Sequence, residues 1–315
     1  MLAYVARRVA VAGPLLLIIS ILVFGLIHAV PGGPVEMFLA NPNVRPEDVE
    51  RLRAALGLDQ PLYIQYAAWL KGFLTGEWGY SFVDGRPVAV RIVERVPATL
   101  ELIGSAMVLA LVVAIPAGVV TAKRRGSWLD TATSTAAFAG ISLPLFWFAL
   151  ILQLVFAVQL GWLPSSGRTS VFDGSFEDRL RHLVLPAAVL AALHAAAWSR
   201  FLRSSMVTAL KQRFVMAAEA RGLPARSVTW RHAFRTALLP FVSVALLDAA
   251  IMVSGAVITE SVFTWPGLGA LFTESLARRD YSVMMAFLML TSTAVIVLNL
   301  VADLAYRWLD PRIAA

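Results

Sequence analysis

The 315-residue sequence contains no cysteine, and charged side chains make up only 15% of it. Without cysteine the protein has no disulfide, no thiolate metal ligand and no cysteine nucleophile. A soluble domain of this length contains about 25% charged residues. Here 59% of the residues are hydrophobic and the mean hydropathy is +0.73. This composition excludes an ordinary soluble domain and indicates a protein that crosses a membrane.

Motifs for nucleotide and metal chemistry are also missing. Neither of the common glycine-rich phosphate-binding patterns occurs in the sequence. The histidines are far apart and show no metal-ligand spacing; they are His28, His182, His194 and His232. We therefore predict no metal site, no catalytic residue and no cofactor on this chain.

Six apolar stretches are long enough to cross a bilayer, which takes roughly 20 residues each. They fall at residues 9–30, 98–122, 131–160, 183–201, 237–259 and 283–308. In hydrocarbon only a helix satisfies its own backbone groups, so we expect an all-α membrane protein with six core transmembrane helices. Pro144 lies inside the third stretch and should kink or start a helix there. The first stretch exceeds the apolar run of a signal peptide, which favours an uncleaved helix.

The distribution of lysine and arginine predicts the orientation. If the N-terminus is cytoplasmic, the inside segments hold 15 basic and four acidic residues, whereas the outside segments hold 12 basic and 14 acidic ones. Basic residues concentrate in cytoplasmic loops. Both termini are therefore predicted to be cytoplasmic. The same asymmetry explains the net charge of +7 without a nucleic-acid partner.

We divide the chain into an N-terminal transmembrane helix (1–30), an extracytoplasmic segment (31–97) and a five-helix core (98–315). In the outer segment, Pro46 and the acids after it predict a first helix that ends at Gly57. A second helix is predicted over residues 61–74. Its apolar stripe includes Tyr66 and Trp69, which would lie at the lipid interface or pack on the membrane domain.

The connection at residues 201–236 joins the fourth and fifth spans and is strongly basic. Small alanines precede Gly222 and Pro224, which are helix stop signals. A second short helix is predicted over residues 225–234. From these features alone, a rigid knob that binds another protein and an ordinary solvated basic loop carry equal weight.

This connection resembles the EAA loop of ATP-binding cassette (ABC) importer permeases, in its peptide- and nickel-permease variant. The resemblance rests on Phe214-Val215, on Arg221-Gly222-Leu223, on Arg231-His232-Ala233 and on Leu238-Leu239-Pro240. It implies that residues 217–225 form a coupling helix that seats in a groove of the ATPase. The ATPase-coupling residues would be Ala217, Ala218, Glu219, Arg221, Gly222, Leu223 and Pro224. One departure is Met216, which stands where the general motif has glutamate.

A second resemblance begins at Glu260 and continues through Trp265-Pro266-Gly267-Leu268-Gly269 to Arg279-Asp280-Tyr281. It is similar to the signature that follows the fifth helix in dipeptide and oligopeptide permeases. Ser282 departs from the proline that is usual there. We expect Pro266 and Gly267 to form a turn in which the glycine has a positive φ. Trp265 is expected at the membrane interface.

Polar residues within the spans are candidates for the translocation path. Asp248 lies near the middle of the fifth span, where a buried acid costs at least ~2.5 kcal/mol. It should face a pore, water or a partner helix. A pore-lining role and a helix–helix contact carry equal weight. Gln153 and His194 are further candidates, with interhelical hydrogen bonds favoured over substrate contacts.

Together the resemblances cover the whole chain and imply the first permease subunit of a peptide importer, with type I ABC importer topology. The implied partners are a homologous second permease, two ATP-binding subunits that hold ATP and Mg²⁺, an extracytoplasmic peptide-binding protein and membrane lipid. Nickel, a glutathione-like peptide or haem stay open as alternative substrates. A different class, an ion-coupled carrier, would instead use Asp248 and Glu260 for coupling.

Overall fold

A computed structural model describes residues 2–29, 47, 50 and 57–309. Within these residues the protein is helical, and its non-helical backbone pairing is a bridge between Tyr80 and Pro87. The first predicted outer helix, near residues 45–57, lies largely outside the described residues. The helices are α1 (Leu2–Ala29), α2 (Leu62–Thr75), α3 (Val88–Lys123), α4 (Trp128–Ser142), α5 (Leu145–Leu152), α6 (Phe176–Leu210), α7 (Arg213–Ala220), α8 (Ala225–Ser227), α9 (Phe234–Val262), α10 (Leu268–Ala277) and α11 (Tyr281–Leu309).

Five of the described helices are long and apolar enough to cross a membrane, and a bent pair brings the number to six. That pair is the third predicted span. The prediction that Pro144 kinks or starts a helix within residues 131–160 is confirmed, because the axes of Trp128–Gly140 and Leu145–Gln159 differ by 106°. Leu143 has an extended backbone (φ −86°, ψ 133°) and Pro144 begins the next helix. Proline disfavours helical backbone in the residue before it, which explains the break.

Capping residues define several helix ends. The Ser127 side chain accepts a hydrogen bond from the Asp130 N–H at the start of α4, and Ser175 accepts one from the Asp178 N–H at the start of α6. Two segments have π-helical geometry: Gln153–Gln159 extends α5, and Val228–Ala233 joins α8 to α9. The result is one continuous helix over Ala225–Val262.

The described residues form two compact units. The first comprises residues 1–97 and 267–296, and in it α2 packs on α1. Phe24 of α1 stacks with His28 at a ring distance of 3.9 Å and lies 5.4 Å from Tyr66 and 5.9 Å from Trp69. The stripe predicted for the helix over residues 61–74 therefore packs on α1 through Tyr66 and Trp69, and that helix is observed at Leu62–Thr75.

The second unit comprises residues 98–266 and 297–315, and its core lies between α3, α6 and α9. Small residues line one face of α3: Ala98, Ala106, Ala110 and Ala114 are buried, and Gly118 touches α6. A Cβ added to Gly118 would lie 2.9 Å from the Ser199 carbonyl oxygen and 2.9 Å from the Leu202 Cβ. This close helix contact therefore requires glycine, as is common where membrane helices associate.

Candidate functional site

The connection at residues 201–236 forms a short helical projection, which we call the knob (residues 213–230). Its first helix, α7, is anchored by two fully buried side chains, Val215 and Ala218. Both belong to the core cluster that includes Leu202 and Met206 of α6 and Val228 at the start of the π-helical turn. The alanine-rich sequence lets α7 lie close to the helices on either side, so the knob is fixed to the membrane domain.

The knob turns sharply after α7. Arg221 ends the helix, and Gly222 adopts a left-handed conformation with φ +76°. The Gly222 N–H donates to the Glu219 carbonyl (2.9 Å) and the Leu223 N–H to the Ala218 carbonyl (3.3 Å). These two bonds define a Schellman motif, in which glycine carries no steric penalty. Pro224 then begins α8.

The predicted coupling residues are thus divided between two structures. Ala217, Ala218 and Glu219 lie in α7, whereas residues 221–224 form the turn that follows it. The helix itself occupies Arg213–Ala220, about one turn earlier than the segment that the family resemblance implies. Ala218 faces the core, and the other coupling residues are exposed.

Large apolar side chains are exposed on the knob. Phe214, Met216, Leu223 and Trp230 keep 43%, 52%, 39% and 44% of their surface accessible. Exposed arginines flank them at positions 213, 221, 226 and 231. An apolar patch with a charged rim is typical of a surface that binds another protein. The knob therefore has the composition of a docking surface.

The three candidate path residues have different environments. Asp248 of α9 accepts a hydrogen bond from the Trp198 indole N–H of α6 at 2.7 Å. His194 is buried one turn before Trp198, with their rings 5.7 Å apart. Gln153 donates to the Ser165 carbonyl in the loop after α5. Asp248 thus joins two helices, which is one of the two roles predicted for it, and Gln153 holds a loop.

The segment after α9 differs from two sequence expectations. Trp265 is fully buried, and its indole N–H donates to the Ala98 carbonyl at 2.8 Å, so the interface position predicted for it is wrong. Gly267 has φ −102° and precedes α10, whereas Thr264 takes the positive φ, +49°. The reason is that the chain turns at the end of α9, before it reaches Pro266 and Gly267. The Trp265 N–H donates to the Glu260 carbonyl at 2.8 Å, and this helix-end hydrogen bond requires a left-handed residue at position 264.

Glu260 and Gly269 are also buried. The Glu260 carboxylate accepts a hydrogen bond from the Thr99 hydroxyl at 2.6 Å, which joins the end of α9 to the start of the core part of α3. Gly269 lies in the first turn of α10. The glutamate is therefore a structural joint between two helices, and its full burial gives it no access to solvent.

An ion-pair network near the start of α3 was not predicted from the sequence. Asp280 is fully buried and accepts hydrogen bonds from the Ser81 hydroxyl and, at 3.1 Å, from Arg91. The Arg91 guanidinium also lies 3.4 Å from Asp84. Burial by itself raises the pKa of Asp84. Hydrogen bonds from the Arg86 N–H and from Ser81, together with the charge of Arg91, outweigh this effect and hold the pKa of Asp84 below its usual value. The only sequence signal was that Asp280 lies in the Arg279-Asp280-Tyr281 motif.

A second network fastens the loop between α5 and α6. Glu101 of α3 accepts hydrogen bonds from Arg168 at 2.6 and 3.0 Å and from Arg179 at 2.6 Å twice. Asp178 accepts bonds from the Ser170 N–H and hydroxyl at 2.6 and 2.7 Å. Among the described residues, no group of three or more histidines or acids is placed to hold a metal ion.

The fold has five or six apolar helices long enough to cross a membrane, and the knob exposes apolar side chains. The model of the binding-protein-dependent transport system inner membrane component family matches residues 114–315, and the model of its N-terminal region matches residues 1–103. The chain belongs to this family of transport permeases.

Relatives and solved structures agree. The chain is 40% identical over 315 residues to the oligopeptide transport system permease protein AppB of Bacillus subtilis. It is 37% identical to the di/tripeptide permease DppB of Pseudomonas aeruginosa and to the dipeptide permease DppB of Escherichia coli K12; each alignment covers 99% of both chains. The fold is similar to the MetNI methionine ABC transporter (TM-score 0.58, 18% identity, 71% of this chain and 98% of that one). It is also similar to an amino acid ABC transporter (TM-score 0.54, 14% identity, 68% and 92%). The predicted ABC importer permease fold is thereby confirmed.

Proposed function

We propose that this chain is a pore-forming permease subunit of an ABC importer that carries di- and oligopeptides across the cytoplasmic membrane. Two observations support the substrate class and the mechanism. The relatives that align over the full chain are named as peptide permeases. The knob presents exposed apolar side chains on a helix that Val215 and Ala218 anchor in the core. The knob is the observation that carries the assignment to an ATP-driven system, because an ion-coupled carrier needs no docking helix.

In this proposal the chain is not itself an enzyme. ATP and Mg²⁺ bind to two partner ATPase subunits, and an extracytoplasmic binding protein delivers the peptide. A homologous second permease completes the path, and both termini of this chain face the cytoplasm of a bacterium, because the inside loops are the basic ones. Ala217, Glu219 and the turn from Arg221 to Pro224 contact the ATPase. Movement of the ATPases then shifts the permeases between two states, each with its own contacts at the knob.

The roles within the membrane follow from the same proposal. Asp248 stands half-buried between α6 and α9, where it can line the path while it accepts its bond from Trp198. His194 and Gln153 are the other two candidates for the path; His194 is buried and Gln153 holds a loop. The segment from Glu260 through Pro266 and Gly267 to Gly269 acts as a rigid outer turn.

The decisive experiment is purification of the tagged chain from its native membrane in mild detergent, with identification of the proteins that accompany it. We expect a second permease and ATPase subunits. Hydrolysis by the purified assembly should rise when a peptide-binding protein and a dipeptide are added together. Nickel and haem, added with the same binding protein, serve as controls for the alternative cargoes.

Two outcomes would contradict the proposal in different ways. A chain that purifies alone, or only with copies of itself, would refute the ABC assignment and leave the ion-coupled carrier as the better explanation. An assembly with ATPases whose hydrolysis responds to nickel or haem but not to a peptide would keep the ABC assignment and refute the peptide substrate.

A further inference from the structure

A cavity of 530 Å³ lies between α4 and α6, and the established family membership gives it no role. It is open on one side. Its lining combines two aromatic rings, Phe138 and Phe201, with two hydroxyls, Ser134 and Ser204, and with the guanidinium of Arg200. A site with one cation, two hydroxyl donors and an apolar wall suits a ligand that is itself part anion and part hydrocarbon.

Of the two arginines that line this cavity, one is paired with an acid and the other, among the described residues, is not. Arg203, which also lines it, forms two hydrogen bonds to Asp130, at 2.6 and 2.7 Å, so its charge is balanced within the protein. Arg200 instead lies over the Phe138 ring, with 3.8 Å between the guanidinium carbon and the ring centroid. Arg200 forms no ion pair with any of the described residues. The ring face attracts the guanidinium charge but does not use up its N–H donors, which stay available to an anionic acceptor.

The position of Arg200 along α6 gives its depth in the membrane. Arg181 near the outer end and Arg200 are 19 positions apart, and the 18 residues between them include no Asp, Glu, Lys or Arg. At a rise of about 1.5 Å per residue this interval is roughly 28 Å long, close to the ~30 Å of the hydrocarbon core. Arg200 therefore lies at the level of the lipid headgroups, at the end of α6 that leads into the basic connection.

We propose that this cavity binds an anionic phospholipid of the cytoplasmic leaflet. The phosphate accepts hydrogen bonds from Arg200 and from the hydroxyls of Ser134 and Ser204, and an acyl chain runs along Phe138 and Phe201. Basic pockets between membrane helices on the cytoplasmic side are suited to such headgroups. A bound lipid would bridge α4 and α6, which are also joined by the ion pair of Arg203 with Asp130 and by the contact of Arg200 with Phe138.

The test measures lipid binding to the purified, delipidated transporter by native mass spectrometry. The probes are phosphatidylglycerol, phosphatidylcholine, dioleoylglycerol and inorganic phosphate. We expect phosphatidylglycerol to bind with the highest affinity. Arg200→Gln should weaken its binding about fivefold, which is what about 1 kcal/mol per basic residue near a membrane surface corresponds to. Lys211→Gln removes one positive charge from the end of the same helix outside the cavity and should change the binding less than twofold.

Two further results make the test decisive. Arg200→Lys keeps the charge but loses the planar fork, so we expect it to recover part of the affinity that Arg200→Gln loses. The thermal unfolding of both variants without lipid should match the wild type, which separates lost binding from lost folding. The proposal would be overturned by unchanged phosphatidylglycerol binding in Arg200→Gln, by equal losses in Arg200→Gln and Lys211→Gln, or by equally tight binding of inorganic phosphate, which would indicate a site for a free anion.

Discussion

Replacement of Gly222 tests the proposed coupling role directly, because the structure separates backbone strain from steric clash at this position. Gly222 has φ +76°, and a Cβ built on it meets no atom within 4 Å. A side chain therefore fits in the available space, and its cost comes from the left-handed backbone alone. For an ordinary L-residue that cost is about 1–2 kcal/mol, and asparagine tolerates the conformation better.

These energies set an expected order of effects. Gly222→Ala adds about 1–2 kcal/mol of backbone strain. If this strain weakens only the docked state of the knob, transport should fall about 5- to 30-fold. Gly222→Val should be more severe, because a β-branched side chain is less compatible with positive φ. Gly222→Asn should lose less than about fivefold. The assay is uptake of a labelled dipeptide by cells or proteoliposomes, normalised to the amount of assembled transporter.

Gly126 provides a matched control. It has φ +77°, a Cβ built on it also meets nothing within 4 Å, and it lies in a different turn on the predicted cytoplasmic side, between α3 and α4. Gly126→Ala therefore introduces the same strain away from the knob and should leave uptake close to wild type. Wild-type uptake in Gly222→Val would refute the coupling role. Equal losses in Gly222→Ala and Gly126→Ala would show that strain in any cytoplasmic turn has this effect.

Three other expectations concern packing, a buried charge and the docking surface. Gly118→Ala should lower the free energy of unfolding of the purified chain by about 1–3 kcal/mol through overpacking, measured by denaturant unfolding in detergent. Gly104→Ala is the control: a Cβ there meets nothing within 4 Å, so this change should be neutral or stabilising. Asp280→Ala removes the closer of the two acids beside the buried Arg91 and leaves Asp84 at 3.4 Å, so it should cost up to about 3–5 kcal/mol in the same assay; a loss under 1 kcal/mol would contradict a tight ion pair. Met216→Asp should reduce the ATPase recovered with the chain at least fivefold, whereas Val171→Asp, an exposed apolar position on the predicted outer side, should not.

Much of the fold follows from local sequence. The helix over residues 61–74 was predicted from its apolar stripe and is observed at Leu62–Thr75, and the stop at Gly222 was predicted from a glycine followed by Pro224. Such features depend on neighbours three to five residues away, so periodicity and helix-stop residues are sufficient to find them. The break at Pro144 was only partly predictable: proline indicates that a helix starts or kinks, but the 106° angle depends on what the two halves pack against.

The environment of Trp265 depended instead on distant residues. A tryptophan near the end of an apolar stretch suits the lipid interface and suits a buried position equally well, as long as its N–H finds an acceptor. The acceptor here is the carbonyl of Ala98, 167 positions away. The pair of Ser81 and Asp280 is separated by 199 positions. No local pattern encodes such pairs, so buried polar contacts across the sequence were the part that the sequence could not supply.

One long helix connects the knob to the turn at Thr264. Ala225–Val262 is a continuous helix of 38 residues, about 57 Å long, that begins at the turn beside Gly222 and ends at the turn before Trp265. At its C-terminal end Glu260 is bonded to Thr99, and at its N-terminal end Val228 and Ala233 pack in the same core as Val215. In the proposed mechanism a displacement of the knob is passed to this helix through that shared core. The π-helical turn at Val228–Ala233 is where the register can relax, because a wider turn holds one residue more than an α-helical one.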